Sequence, residues 1–207
     1  MEKIEKLHIK DYIVEVLRKE IISGNLKPKE ELTQQKIAEM LGVSRMPIRE
    51  AFQALEDEGF LEKLPNRHVI VTSISSKKIL NIFRILISIE TEIIHILMEE
   101  NKDITFIEME EISYKEKCNL EMSFHEKIAK LIQDKYVEQL YTKLLKGYVS
   151  YIVYDLEHDI NFSLIQLKKI EQYFEKRDIK EINNILKEYY FEMADILLKH
   201  WRKVVEL

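Results

Sequence analysis

The 207-residue sequence has almost no cysteine and no long apolar run. Its single cysteine, Cys118, excludes an internal disulfide and agrees with a reducing compartment. No stretch approaches the roughly 20 apolar residues that cross a bilayer. The first residues, MEKIEKLHIK, alternate charged and apolar groups and lack the apolar stretch of a signal peptide. We therefore expect a cytoplasmic protein with no membrane partner.

Glycine and proline are also scarce, with 4 Gly and 3 Pro, whereas 46% of the residues are hydrophobic and 33% are charged. This composition excludes a disordered chain and favours long helices connected by few turns. A chain of this length accommodates one large domain or two small ones. We expect a mostly α protein.

An excess of positive charge is absent as well, because the formal net charge is -5. A nucleic-acid-binding protein usually carries a basic patch, so the overall charge does not indicate one. The sequence also lacks a glycine-rich phosphate loop, a nucleophile elbow and an HExxH zinc motif. We therefore expect no enzyme, and a DNA-binding function has to be argued from local motifs.

The N-terminal part contains the pattern of a helix-turn-helix. A first amphipathic helix is predicted over residues 11–23, and a second helix ends at Gly42. Only Val43 separates Gly42 from Ser44, the N-cap of a third helix that has Pro47 in its first turn. Two helices joined by so short a turn are typical of this motif.

The third helix has two distinct faces. Apolar side chains at helical spacing predict an inner face made of Ile48, Ala51, Phe52 and Leu55. Arg45, Met46 and Arg49 project from the other side of its N-terminal half. We expect the inner face to pack against the first two helices and the outer face to contact a partner.

Strand and turn residues surround these helices. Residues 60–72 are predicted to form a strand, a turn and a second strand, which together make a two-stranded wing. Residues 25–32 predict a turn, and the serines within residues 73–76 predict a hinge. A winged helix-turn-helix domain is therefore predicted over residues 1–74.

The rest of the chain has helical periodicity from Lys77 to its end. Short connections between helices favour antiparallel neighbours, so about six antiparallel helices are expected. Residues 155–163 predict a loop. The second predicted domain, residues 75–207, is all-helical.

The N-terminal domain resembles the DNA-binding domain of the GntR family of bacterial regulators over about 75 residues. The matching positions are Ser23-Gly24, Pro28, Leu32, Ile37-Ala38, Leu41-Gly42-Val43-Ser44-Arg45, Pro47, Arg49-Glu50-Ala51, Leu55, Glu58-Gly59 and Pro65-Asn66-Arg67. Two positions depart from the pattern, because Lys29 and His68 stand where the family usually has Gly. The bulk of His68 disfavours a close approach of the wing tip to the minor groove.

The resemblance implies that this domain binds double-stranded operator DNA. Arg45 and Arg49 are then placed on bases or phosphates, since an Arg fork can bridge guanine O6 and N7. The complete set of implied DNA-contacting residues is Gln35, Ser44, Arg45, Met46, Pro47, Arg49, Asn66, Arg67 and His68. The alternative is that both arginines are solvated charges on a surface helix.

The C-terminal domain resembles the FCD type found in the FadR-like branch of the family, through Ser123-Phe124-His125 and EQYFEKRDIKEINNILKEYY. Members with a metal use an acidic residue and a His four positions apart, here Glu121 and His125, plus two later histidines. The later positions fall near Leu167 and Tyr189, which cannot replace an imidazole. The metal site is thus incomplete and no cofactor is assigned, with a divalent metal on Glu121 and His125 as the less favoured interpretation. The alternative is that His125 is a buried, hydrogen-bonded core residue.

An organic effector could occupy the same domain directly. Tyrosine hydroxyls within apolar helices are typical of ligand pockets, and the candidate lining is Glu121, His125, Tyr148, Tyr151 and Tyr189. The alternative is that these tyrosines belong to the core. The expected protein is a homodimeric repressor whose operator affinity responds to a small molecule, with a carboxylate as one candidate. The competing interpretations are a protein-interaction module and a DNA-binding dimer without a ligand.

Overall fold

A computed structural model describes residues 2–66, 68–104 and 112–205. The chain divides into two compact units, Met1–Ser75 with Trp201–Leu207, and Ser76–His200. The architecture is mostly α, as the sequence predicts. Among the helices described, none is long and apolar enough to span a membrane.

The N-terminal unit is a winged helix-turn-helix. Its elements are α1 (Glu2–Ile22), β1 (Glu31–Leu32), α2 (Gln34–Leu41), α3 (Arg45–Asp57), β2 (Leu61–Lys63) and β3 (Val69–Val71). The strands form an antiparallel sheet in the order β1-β3-β2. The sequence predicts only a turn where β1 lies. This prediction is incomplete, because a two-residue strand has no periodicity of its own and exists through its pairing with β3.

Lys29, which stands where the GntR pattern usually has glycine, adopts a backbone conformation typical of glycine. Its backbone has a φ of 68°, the left-handed conformation that glycine adopts at little cost. The Lys29 N–H donates to the Val71 carbonyl at 2.8 Å, and the Val71 N–H donates to the Glu30 carbonyl at 3.0 Å. The turn therefore keeps the backbone geometry that glycine favours, although the residue is a lysine. The left-handed conformation of Lys29 costs about 1 kcal/mol of folding free energy.

A buried ion pair joins the first and third helices. Arg18, on α1, is 8% exposed and directs its guanidinium fork at the Glu58 carboxylate, with three N–O distances of 2.8 to 3.0 Å. Glu58 is the residue that ends α3. The helices α1 and α3 also pack against each other, and both bury apolar side chains, namely Ile13, Leu17 and Ile21 of α1 and Ile48, Ala51 and Leu55 of α3. The core and the ion pair together hold α3 in place.

The second unit is an all-helical assembly. Its elements are α4 (Ser76–Glu99), α5 (Tyr114–Leu131), α6 (Lys135–Leu144), a π-helical segment (Leu145–Val149), α7 (Ser150–Asp155), α8 (Ile160–Glu175) and α9 (Ile179–Val205). The wider π-helical turn connects α6 directly to α7. The loop predicted over residues 155–163 is too long, because the Asp159 carboxylate caps α8 by accepting from Asn161 and Phe162 N–H groups.

Candidate DNA-binding surface and a buried polar network

The turn between α2 and α3 has the predicted geometry. Thr33 caps α2 by accepting from the Lys36 N–H at 3.2 Å. Gly42 ends this helix with a φ of 67°, and its N–H points back at the Ala38 and Glu39 carbonyls. Ser44 then begins α3 in an extended conformation, without a side-chain capping bond. The glycine is required here because this left-handed residue sets the angle between the two helices.

The two faces of α3 are separated as the sequence predicts. Its inner side chains Ile48, Ala51, Phe52 and Leu55 are buried. Arg45 and Arg49 are exposed, and Met46 is 57% exposed. No ion pair holds either arginine within the ranges that the structure describes. Two unpaired guanidinium groups on one exposed helix half can accept phosphate or base contacts.

The remaining predicted residues on the helices lie beside this face. Ser44, Met46 and Pro47 line a groove of about 920 Å³, together with Ile9, Lys10, Gly42, Val43, Glu50, Gln53, Ala54 and Asp57. Gln35 lies on α2, where its side-chain amide donates to Glu39 at 2.9 Å. Gln35 therefore already has an internal partner, unlike the two arginines.

Asn66 and His68 lie in the turn between β2 and β3, where the sequence predicts the wing. His68 directs Nδ1 at the Glu31 carboxylate on β1 at 2.6 Å, and both side chains are about half exposed. Its N–H donates to the Asn66 side chain at 3.1 Å. Arg67, the third predicted wing residue, lies outside the described residues. His68 thus has polar contacts within the protein, which the sequence did not predict.

The second unit contains a buried polar network centred on Glu90. This carboxylate, on α4, accepts hydrogen bonds from the hydroxyls of Tyr141, at 2.5 Å, and Tyr190. Its other oxygen lies 3.1 Å from His125 Nδ1. Burial and then the Glu90 charge raise the pKa of both tyrosines well above the usual value, so both remain protonated donors.

Glu121 extends the network towards the surface. Its Oε1 accepts from the Tyr189 hydroxyl at 2.8 Å, and its Oε2 lies 3.1 Å from His158 Nε2. His158 Nδ1 lies 3.1 Å from the hydroxyl of Tyr114, which is half exposed. Burial lowers the pKa of His158, but the hydrogen bond and charge of Glu121 outweigh burial and leave it raised. Glu121, His125 and Tyr189, three of the predicted pocket residues, are therefore brought together.

The other two predicted pocket residues lie elsewhere in the hydrogen-bonding pattern. Tyr151 places its hydroxyl 3.4 Å from His200 Nε2. Tyr148 lies in the π-helical segment, and burial raises its pKa. Neither has a described hydrogen bond to His125 or Glu121. Of the five predicted lining residues, three thus belong to the network, whereas Tyr148 and Tyr151 contact other parts of the protein.

The donor set of the network does not fit a metal ion. Both Glu121 oxygens and both His125 nitrogens already face hydrogen-bond partners. In the part of the chain that the structure describes, no three His, Cys, Asp or Glu side chains are grouped to hold a metal. The residues therefore satisfy one another instead of leaving ligand positions open.

Sequence reasoning missed several members of the network. Glu90, Tyr141 and Tyr190 contribute to it, and His158 joins it through Glu121. A signal for Glu90 was present, because it lies three and four residues from the buried Ile87 and Leu86 on one apolar stripe. A carboxylate in that position needs a buried partner.

The N-terminal region matches a known protein family. Residues 9–71 match the model of the family described as bacterial regulatory proteins, gntR family. The chain is 33% identical over 94 residues to the uncharacterized HTH-type transcriptional regulator YdhC of Bacillus subtilis, which covers 44% of this chain and 42% of that protein. The chain thus spans less than half the length of this relative.

Two further similarities extend over most of the chain. The gluconate operon transcriptional repressor of Bacillus licheniformis is 27% identical over 195 residues, covering 87% of this chain and 80% of that protein. The solved structure of E. coli McbR/YncC has a TM-score of 0.60 at 17% identity, covering 95% of this chain and 98% of that chain. This last similarity shows a shared fold.

Proposed function

We propose, from the premise that residues 9–71 form a helix-turn-helix domain of the gntR family of bacterial regulatory proteins, that this chain is a DNA-binding transcriptional regulator. The observation that carries the proposal is the exposed half of α3, where Arg45 and Arg49 have no ion-pair partner among the described residues. Their charge and fork geometry suit phosphates and guanine edges.

In this proposal, α3 enters the major groove with its N-terminal half foremost. Ser44, Met46 and Pro47 then lie beside the two arginines, and Gln35 approaches the backbone from α2. Asn66, Arg67 and His68 are the proposed wing contacts. The contact between the His68 imidazole and the Glu31 carboxylate supports a position of His68 at the wing. Because the chain is acidic overall, specific contacts have to supply most of the affinity.

The regulator is proposed to act as a homodimer and a repressor. Two half-sites one DNA turn apart, about 34–36 Å, require two recognition helices at a defined separation. The name of the Bacillus licheniformis relative as an operon repressor supports repression. A change in the separation of the two DNA-binding domains would release one half-site.

The second unit is proposed to be of the FCD type and to bind the effector that causes this change. Its support is the helical architecture and the meeting of Glu121, His125 and Tyr189. A ligand there has to replace hydrogen bonds that the protein now makes with itself, so binding would alter helix packing. Carboxylates are the first class of ligand to test.

The test is a mobility shift of the full chain on DNA from upstream of its own gene, at two salt concentrations. A discrete complex that weakens with salt is expected, since phosphate contacts release counterions. Added carboxylates should then release the complex. A protein that shifts no DNA from this region would contradict the regulator function, and a complex indifferent to every added metabolite would contradict the effector alone.

A further inference from the structure

Two side chains of α5 converge on a single oxygen atom. Glu121 and His125 are four residues apart, which places them on one helical face. The Tyr189 hydroxyl, from α9, lies 2.8 Å from Glu121 Oε1 and 2.8 Å from His125 Nε2. A cation shared by this carboxylate and this imidazole would have to lie between the same two atoms. Tyr189 therefore occupies the position that such a cation needs.

The outer atoms of the pair are engaged as well. Glu121 Oε2 lies 3.1 Å from His158 Nε2, and His125 Nδ1 lies 3.1 Å from Glu90 Oε1. The side chains of Glu90, Glu121, His125 and Tyr189 are at most 1% exposed. Reorienting any of them to receive a metal would leave another buried polar atom without its partner, which is unfavourable in the protein interior.

A proton supplies the positive charge that a metal ion would bring to this site. Tyr189 has one proton, and donating it to Glu121 leaves the phenol oxygen only as an acceptor. His125 Nε2 must then carry a proton, and a further proton lies between Nδ1 and Glu90 Oε1, on one of these two atoms. Placing the proton on Glu121 instead gives the same total. One extra proton therefore lies along Glu121, Tyr189, His125 and Glu90, and it compensates buried negative charge.

We infer that the Tyr189 hydroxyl takes the place of a divalent metal ion between Glu121 and His125. The helical unit is complete without a metal, and it becomes a metal site only when this hydroxyl is removed. The inference concerns only the second unit and does not depend on operator binding by the first.

The first experiment measures metal binding by the unmodified full chain. The protein is incubated with excess Zn²⁺, desalted and analysed for zinc by mass spectrometry, and its thermal unfolding is followed with Zn²⁺ and with EDTA. We expect no retained zinc and the same Tm in both solutions. Zinc retained by the wild-type chain and lost from a Glu121→Gln variant would overturn the inference.

The second experiment opens the site. Tyr189→Ala removes the hydroxyl between Glu121 and His125 and leaves a carboxylate and an imidazole, two side chains that bind Zn²⁺, on either side of the vacated space. At zinc concentrations about 100-fold above the Kd, the Tm should rise by roughly 3 °C or more. The control is Leu186→Ala, which makes a cavity at another fully buried position of α9. Its Tm should not rise with zinc. A folded Tyr189→Ala protein with no zinc response would contradict the inference, and the wild-type experiment decides if this variant does not fold.

Discussion

The charged groups on the exposed half of α3 and those of the helical unit differ in whether they have partners inside the protein. Arg45 and Arg49 are exposed and, across the described ranges, belong to no ion pair. Glu90, Glu121 and His125 are fully buried, and each contacts at least two polar side chains. Unpaired surface charge remains available to an external phosphate, whereas paired buried charge holds helices together.

Buried polar groups also have different roles in the two units. In the N-terminal unit, the pair Arg18 and Glu58 joins two helices through a single fork. In the second unit, hydrogen bonds connect side chains from α4, α5, α6 and α9. A network that spans four helices requires all of them to be correctly placed at once. A change of packing at one of these helices therefore alters the hydrogen bonds that it makes with the other three.

The largest effect is expected from removing the acceptor at the centre of the network. Glu90→Ala leaves the Tyr141 and Tyr190 hydroxyls and His125 without their shared carboxylate, and it also creates a cavity. The free energy of unfolding should fall by about 3–5 kcal/mol. Urea unfolding followed by circular dichroism measures it. Glu92→Ala, at an exposed position of the same helix, is the control, and equal losses in the two variants would contradict a structural network.

The next effect concerns the ion pair of the N-terminal unit. Glu58→Ala leaves the buried Arg18 guanidinium without its carboxylate and should destabilise this unit by about 3 kcal/mol. Hydrogen exchange of the α1 and α3 amides should accelerate accordingly. Glu15→Ala removes an exposed carboxylate from α1 and should leave exchange unchanged. Unchanged protection in Glu58→Ala would mean that apolar packing alone fixes α3.

A smaller free-energy change is expected at the exposed face. Arg45→Ala should weaken operator binding at least about tenfold, because a good base contact of an arginine is worth about 1–3 kcal/mol. Helical circular dichroism should not change, since this side chain has no described internal ion pair. Arg84→Ala removes an exposed arginine from α4 and should retain affinity. Full affinity in Arg45→Ala would remove this residue from the interface.

The smallest effect is a pH dependence at the outer end of the network. The pKa of His158 is raised in the folded protein, so its protonation contributes stability below about pH 6.5. This contribution is lost as the pH rises through the folded-state pKa. His158→Gln should therefore reduce the Tm more at pH 6 than at pH 8. His95→Gln, at a side chain 44% exposed, is the control, and a larger loss at pH 8 would contradict the assigned direction.

Local patterns predicted the helix-turn-helix because each of its parts depends on neighbouring residues. A left-handed Gly42, the N-cap Ser44 and apolar residues at helical spacing are sufficient to define α2, the turn and α3. The same patterns predicted the faces of α3. The placement of Glu121 and His125 together also followed from their spacing on one helix. These features involve residues within about one or two helical turns of each other.

Contacts between distant residues could not be predicted in this way. The partners of Glu90 come from three other helices, and His158 approaches Glu121 through the loop before α8. The ion pair of Arg18 with Glu58 crosses 40 residues. The sequence contained one warning, a carboxylate on the apolar stripe of α4, but it contained no indication of which donors would reach it.

The sequence by itself determined the mostly helical composition, the helix α3 and the surface position of its arginines, because periodicity and caps depend on short-range geometry. Only the tertiary structure decided that Tyr189 lies between Glu121 and His125 and that Glu90 completes their network. Hydrogen bonds require atoms to meet within about 3 Å. Such distances depend on how whole helices pack, which the spacing of residues along one helix does not specify.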